Sequence, residues 1–174
     1  MGTGLNAFDI NEVIGITKAY VTRVGEGPFP TEAPASISER MRVNGGEFGS
    51  TTGRPRRCGW FDAPLIRQTA RINGLTSMAL TKLDVLSGFK KIRVAVDYKI
   101  KGKGIDFFPA SDLGRVEPVY RDLDGWDENI ARCKKRKELP KNARAYIDFI
   151  ESVTGVKISI VSVGPDRHST FRNR

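Results

Sequence analysis

The sequence predicts an α/β protein with a mixed central sheet and flanking helices. Two helix patterns are each followed by a short apolar run, and between them lies a segment in which apolar and polar residues alternate. A helix followed by a fully apolar strand is typical of strands buried on both faces, whereas alternation indicates a half-buried strand. At 174 residues the chain is long enough for one domain with a core and too short for two.

The amino-terminal third is predicted to contain one strand and a long loop. Residues 12–22, EVIGITKAYVT, are rich in β-branched and aromatic side chains, which favours a strand. Two glycines and two prolines in residues 24–32 predict a turn-rich loop. Residues 36–48 are polar and varied, so irregular structure and a short helix are both open there.

The first helix is predicted to begin after Asp62, a suitable N-cap, and to stop at Asn73 and Gly74. Pro64 fits the first turn. Apolar and small residues recur at helical spacing, namely Leu65, Ile66, Thr69, Ala70 and Ile72. The following LTSMAL run predicts a strand packed on both faces, which ends in TKLDVL. Ligands of open α/β sheets gather outside such carboxyl ends.

The second half is predicted to contain a hairpin, a loop region, a helix and a last strand. Alternation over residues 92–99 predicts a half-buried strand, and KGKG at 101–104 a hairpin into IDFFPA. Residues 109–141 are predicted to be turn-rich. Asn142 is the predicted cap of a helix that ends at Gly155, and VKISIVSV is the predicted final strand. The apolar face of this helix comprises Ala143, Tyr146, Ile147, Ile150 and Val153.

The net charge of +9 and the pI near 9.8 predict an anionic partner without identifying it. DNA, RNA, acidic membranes and nucleotides all fit. No apolar run approaches the roughly 20 residues that a membrane span needs, and the first residues lack a signal-peptide pattern. We therefore expect a cytoplasmic protein with no membrane partner.

The sequence predicts no metal site and no disulfide. Cys58 and Cys133 are far apart, and His168, in a polar tail, is the only histidine. This spacing assembles neither a disulfide framework nor a zinc site. Both cysteines are expected to be reduced, and His168 is expected at the surface.

TKLD, residues 81–84, is the most informative tetrapeptide because it resembles the [N/T]KxD guanine-reading signature of GTP-binding proteins. The Asp84 carboxylate could accept both N1–H and the 2-amino group of guanine, whereas adenine presents an acceptor at N1. Such polar pairing discriminates by roughly 10⁴, about 5 kcal/mol. The Lys82 stem could lie against the base while its ammonium reaches a backbone carbonyl. Taken alone the match is weak, because a Lys-x-Asp turn often arises by chance, and a solvated loop after a strand is then the better explanation of the tetrapeptide.

Two further loops could bind a nucleotide or another anion. SVGPDR, residues 162–167, offers a hydroxyl and a glycine at a strand end, although an ordinary strand-to-turn ending explains it equally well in isolation. In TTGRPRR, Arg54 and Arg56 could each grip a carboxylate or a phosphate with two parallel hydrogen bonds. The alternative is a basic nucleic-acid-binding module that uses GRPRR and CKKRK. A minor-groove hook needs a disordered arm, however, and this loop runs directly into CGWFDAPLI.

Five segments together resemble the adenylosuccinate synthetase family, which joins aspartate to inosine monophosphate (IMP) at the expense of GTP. They are VIGITKAYVTRVGEGPFPTE, EFGSTTGRPRRCGWFDA, INGLTSMALTKLDVLSGF, LPKNARAYIDFIE and VSVGPDR. The resemblance implies that residues 1–174 are one partial domain, similar to the carboxyl-terminal part of this family's P-loop NTPase-like fold. The amino-terminal portion with the phosphate loop is then absent.

By this resemblance the aspartate and IMP loop is Ser50, Thr51, Thr52, Gly53, Arg54, Pro55 and Arg56. Thr51 and Thr52 would face the amino acid, Arg54 would contact aspartate and the IMP ribose, and Arg56 would reach the GTP side. The resemblance places the GTP-binding residues at Arg56, Lys82, Leu83, Asp84, Ser162, Val163 and Gly164.

The resemblance also implies what this chain lacks. The family's phosphate loop, catalytic aspartate, catalytic histidine and Mg²⁺ ligands have no counterpart here, and His168 does not match the catalytic histidine. The chain alone is therefore expected to be an inactive ligase fragment of purine biosynthesis, with GTP and Mg²⁺ required by the family. Its expected partners are IMP, L-aspartate and GTP, together with a second copy or a separate amino-terminal half.

Overall fold

The computed structural model describes residues 4, 6, 9–105 and 108–173. The three described helices are α1 (Ala35–Gly45), α2 (Ala63–Asn73) and α3 (Lys141–Thr154). The described strands are β1 (Ile14–Lys18), β2 (Val21–Arg23), β3 (Arg57–Gly59), β4 (Phe61–Asp62), β5 (Ser77–Thr81), β6 (Lys91–Ile100), β7 (Lys103–Ile105), β8 (Val116–Asp124), β9 (Ile158–Ser162) and β10 (Thr170–Arg172).

The central sheet has the strand order β1-β5-β9-β10, with three parallel strands and an antiparallel β10. The first four residues of β5 are buried, which confirms the prediction of a strand packed on both faces. Helices α2 and α3 pack on each other, and their apolar faces join the core. The mixed sheet with flanking helices confirms the predicted α/β class.

A second sheet is built on β6, which pairs with β4, β7 and β8. The predicted hairpin at KGKG is confirmed, since Lys101 and Gly102 have positive φ angles of 51° and 75° between β6 and β7. Asp106 and Phe107 of the predicted IDFFPA segment lie outside the described residues.

The prediction that residues 109–141 are turn-rich was wrong for β8, which pairs with β6 along its length. The sequence of this strand contains Pro118 and four charged residues, which do not favour a strand in sequence-based prediction. An edge strand tolerates proline and charge because one side of its backbone needs no partner.

Two further predictions of element bounds were wrong. Residues 12–22 form two strands because the chain turns inward at Ala19 and Tyr20, which are 1% and 2% exposed. Asn142 does not cap α3; its side chain donates to the Gly125 carbonyl at 2.6 Å, and the helix begins beside Pro140.

The predicted ends of α2 are confirmed. Asp62 accepts a hydrogen bond from the Leu65 amide at 3.0 Å, and Gly74 ends the helix with φ 61°. For residues 36–48 the sequence left irregular structure and a short helix as alternatives. The structure shows the helix, α1, which begins at Ala35 and ends at Gly45. No helix in the described ranges is long and apolar enough to cross a membrane.

Candidate nucleotide and amino-acid site

The two predicted nucleotide loops lie side by side in the structure. Strands β5 and β9 are parallel neighbours, with Leu80 opposite Val161. The chain therefore leaves both strands at the same edge of the sheet, into Lys82–Asp84 after β5 and into Val163–Gly164 after β9. This is the edge at which open α/β sheets bind their ligands.

One oxygen of the Asp84 carboxylate has an unsatisfied hydrogen-bonding capacity in the described part of the chain. It lies in a short 3₁₀ turn, Leu83–Leu86, where Leu83 is fully buried and anchors the turn. The Asp84 Oδ1 atom is buried and has no hydrogen-bond partner among the described residues. Burial raises the pKa of Asp84, while a hydrogen bond from its own backbone amide and the nearby Lys82 charge act in the opposite direction. A donor from a ligand would satisfy this oxygen.

Lys82 is held in an uncommon conformation. Its φ angle is 58°, in the left-handed region that non-glycine residues seldom occupy. Its ammonium donates to the Gly45 carbonyl and to Glu47 Oε1, both at 2.7 Å. The predicted contact between this ammonium and a backbone carbonyl is therefore confirmed.

The loop after β9 is closed by its own polar groups. Ser162 Oγ donates to the Gly164 carbonyl at 3.0 Å, and the amide of the buried Val163 donates to the backbone carbonyl of Ser169 at 2.8 Å. A Cβ at Gly164 would lie 3.0 Å from Ser169 Oγ, so a larger residue there requires a small shift of Ser169. The loop is thus fixed, with the Ser162 hydroxyl engaged inside it.

The arginine-rich loop is a closed turn on the surface. The Gly49 amide donates to the Arg54 backbone carbonyl at 2.8 Å, and the Gly53 amide donates to the Gly49 carbonyl at 2.9 Å. Gly53 has a φ angle of 64°. The predicted aspartate and IMP residues from Ser50 to Pro55 are exposed, and Arg56 is half-buried. The Arg54 side chain makes no hydrogen bond or ion pair within the described part of the chain, which leaves its guanidinium available to an anion.

Glu47 is the residue that sequence reasoning missed. Its side chain is completely buried, and its carboxylate accepts from Lys18 at 2.8 Å, Lys82 at 2.7 Å, Arg56 at 2.9 Å and Tyr20 at 2.6 Å. We call Glu47 with these four partners the Glu47 cluster. A glutamate in a polar stretch carries no signal of burial, and its partners come from three separate segments, two of them about 30 residues away along the chain.

The Glu47 cluster joins the two halves of the predicted site and has an excess of positive charge. Burial by itself raises the pKa of Glu47, but hydrogen bonds from its four partners outweigh that effect and hold the pKa at about 2. One carboxylate against two lysines and one arginine leaves a net charge of +2. Arg56 and Lys82 therefore share one carboxylate in a region that attracts anions.

Other features lie apart from this region. A cavity of about 390 Å³ lined by Arg67, Tyr98 and Phe108, among others, contains none of the predicted site residues. In the CKKRK run, Arg136 pairs with Asp148, and Lys134 donates to the His168 carbonyl. Two of the basic side chains in this run therefore contact other parts of the fold. His168 is exposed, and Cys58 and Cys133 are free thiols, as predicted.

The fold defines an α/β protein in which two polar loops follow the carboxyl ends of the parallel strands β5 and β9. The family model "Adenylosuccinate synthetase" matches residues 1–171. The chain belongs to the adenylosuccinate synthetase family.

Individual relatives agree with the family match. The chain is 54% identical to "Adenylosuccinate synthetase" of Carboxydothermus hydrogenoformans over 173 residues, which are 98% of this chain and 40% of that relative. It is 51% identical to the protein of the same name from Clostridioides difficile, covering 41% of it. The solved "Structure of fully ligated Adenylosuccinate synthetase from Plasmodium falciparum" has a TM-score of 0.95 at 39% identity and covers 99% of this chain and 42% of that one.

The chain thus spans about 40% of the length of the curated relatives it matches. Neither the comparisons nor the engaged basic residues favour the nucleic-acid alternative.

Proposed function

We propose that this chain forms part of an adenylosuccinate synthetase, the GTP-dependent ligase that condenses IMP with L-aspartate in purine biosynthesis. In this proposal the chain supplies the guanine pocket and the aspartate-binding loop and is inactive alone. The rest of the enzyme supplies the chemistry of phosphoryl transfer.

The observation that carries the proposal is the buried, unpaired Oδ1 of Asp84 beside the fixed ammonium of Lys82. A carboxylate in this position accepts the N1–H and the 2-amino group of guanine, and it repels the N1 acceptor of adenine. Because the site leaves a buried acceptor unsatisfied with any base that lacks these donors, it discriminates strongly. The main chain of Leu83, Val163 and Gly164 would form the walls of this pocket.

The arginine loop supports the second half of the proposal. Arg54 is exposed and has no side-chain partner among the described residues, so its guanidinium can bind a carboxylate of L-aspartate by two parallel hydrogen bonds. The exposed hydroxyls of Thr51 and Thr52 lie in the same turn. Arg56 donates through NH1 to Glu47, which leaves its other guanidinium nitrogens without a hydrogen bond to the described residues. Fixed cations of this kind stabilise charge that develops on a transferring phosphoryl group.

Magnesium, which the family's reaction implies, finds no suitable site in the described ranges. No group of three or more His, Cys, Asp or Glu side chains there could hold a metal ion. We therefore assign no step of the reaction in this chain to a metal.

The missing catalytic parts belong to a partner in this proposal, either a separately encoded half or the rest of a longer chain. The placement of this chain in the carboxyl-terminal portion of the family stays a prediction. The DNA immediately upstream of the reading frame tests it. A phosphate-loop sequence there supports the placement, and a phosphate loop encoded downstream contradicts it.

Isothermal titration calorimetry of the purified chain with GDP and with ADP tests the proposed pocket. We expect GDP to bind more tightly than ADP, and Asp84→Ala to remove the difference. Equal weak binding of both nucleotides by the unsubstituted chain would refute the guanine pocket. Turnover of IMP, L-aspartate and Mg-GTP by the chain alone would refute the proposal that it is inactive by itself.

A further inference from the structure

The two oxygens of Glu47 face the two different loops of the candidate site. Oε1 accepts from Lys82 at 2.7 Å, and Oε2 accepts from Arg56 NH1 at 2.9 Å. Lys18 bridges both oxygens at 2.8 and 2.9 Å, and Tyr20 donates to Oε1 from the buried side. One rigid carboxylate therefore fixes one cation from the loop after β5 and one from the arginine loop.

Backbone contacts tie the same two loops to the chain around Glu47. The Arg56 amide donates to the Glu47 carbonyl at 2.9 Å, and Arg42 Nε donates to the Arg56 carbonyl at 2.9 Å. The Gly45 carbonyl accepts from Lys82 at 2.7 Å. The segment from Arg42 to Glu47, at the end of α1, is thus the common support of both loops.

The junction between the two loops is closely packed. A Cβ at Gly45 would lie 2.2 Å from the Tyr20 hydroxyl, so the backbone passes directly against the buried tyrosine. Lys82 keeps a left-handed backbone that costs a non-glycine residue about 1 kcal/mol or more, and its bonds to Gly45 and Glu47 stabilise it there. A shift of Glu47 would therefore move both loops.

We propose that Glu47 is a positioning residue that couples the guanine loop to the aspartate loop, so that a guanine nucleotide at Lys82–Asp84 strengthens the binding of a dicarboxylic amino acid at Ser50–Arg56. This inference rests on the proposed function. Coupling of this kind is reciprocal, and a factor of about 5 or more is typical.

The test measures the GDP dissociation constant of the full chain without and with saturating L-aspartate. The ratio of the two constants is the coupling factor. We expect a ratio of about 5 or more for the unsubstituted chain and a ratio near 1 for Glu47→Gln. Glu32→Gln is the matched control, because Glu32 pairs with the neighbouring Arg57 in an exposed ion pair and does not touch either loop cation. We expect this control to keep the full ratio.

The inference is overturned if Glu47→Gln keeps the ratio or if the unsubstituted chain shows a ratio of 1. Should Glu47→Gln fail to fold, Glu47→Asp replaces it, since the shorter side chain keeps the charge and loses reach to one of the two loops. We expect Glu47→Asp to lower the ratio as well.

Hydrogen exchange of the ligand-free chain separates this inference from the proposed function. Failure of the unsubstituted chain to bind GDP refutes the guanine pocket. It does not affect the exchange measurement, which uses no ligand. In Glu47→Gln we expect faster exchange of the Arg56 amide and of the Val85 amide, which donates to the Lys82 carbonyl. The Glu32→Gln variant should change neither. Faster exchange in one loop alone, or in neither, overturns the shared positioning role.

Discussion

The ammonium of Lys82 lies 2.7 Å from Oε1 of Glu47, whose carboxylate is completely buried. Without its cations this carboxylate would carry the full cost of burying a charge. The contact fixes a lysine that follows β5 and links it to Arg56, which lies in a different loop. The carboxylate therefore connects the loop after β5 with the arginine-rich loop.

Stability should depend on pH through Glu47. Its pKa is lowered from 4.5 to about 2 in the folded chain, so the unfolded state binds a proton first as the pH falls. The stabilisation is complete above pH 4.5 and is lost progressively towards pH 2. We expect about 2 kcal/mol after allowance for the partly exposed cations. Urea denaturation between pH 6 and pH 2.5 measures it, and Glu47→Gln should lack this part of the pH dependence.

Asp84 should lower the stability of the folded chain when it is ionised. Burial raises its pKa, so its charged form is disfavoured in the folded state and stability is lost as the pH rises through the folded pKa. We expect Asp84→Asn to raise the free energy of unfolding at pH 7 by about 1 kcal/mol, since it removes a partly buried charge whose Oδ1 has no hydrogen bond in the described residues. A decrease would show that Asp84 has an internal partner in solution.

The stabilities of Lys82→Gly and Lys82→Ala should differ because the backbone at Lys82 is strained. Both substitutions remove the ammonium contacts, but glycine occupies a φ of 58° at little cost. We expect Lys82→Gly to be more stable than Lys82→Ala by about 1 kcal/mol. The hairpin residue Lys101, with φ 51°, is the control and should show the same order. Thermal unfolding compares the four variants, and the reverse order at Lys82 would exclude the left-handed conformation.

The outer edge of β1 should cause the isolated chain to self-associate. In the described residues β1 pairs only with β5, and Ile16 is 81% exposed beside a groove lined by Ile66 and Leu75, among others. Exposed apolar edges favour association. We expect Ile16→Lys to lower the association constant at least tenfold in sedimentation equilibrium. Val24, 71% exposed in a loop, gives the control Val24→Lys, which should not change it.

The sequence was sufficient for elements whose signal is local. The N-cap at Asp62, the stop at Gly74 and the buried LTSMAL strand were predicted because capping and apolar runs act within a few residues. The strand β8 was missed because its pairing with β6 determines its conformation, and Pro118 argues locally against it.

The same distinction applies to the site. Lys82, Asp84 and the arginine loop carry recognisable motifs, and the structure brings Arg56 and Lys82 onto one carboxylate. Glu47 carries no motif of its own. Its role depends on contacts that form only when the chain folds and brings together cations from β1, the loop after β5 and the arginine loop. Such long-range contacts cannot be predicted from the residues next to Glu47 in the sequence.

The most direct measurement of the central claim is a change of base specificity at Asp84. Xanthine keeps the N1–H of guanine but has an oxygen in place of the 2-amino group, so an asparagine amide would donate where the aspartate accepts. We predict that the unsubstituted chain binds GDP more tightly than XDP and that Asp84→Asn reverses this order in calorimetric titrations. An unchanged preference, or equal loss of both affinities, would contradict guanine recognition by Asp84.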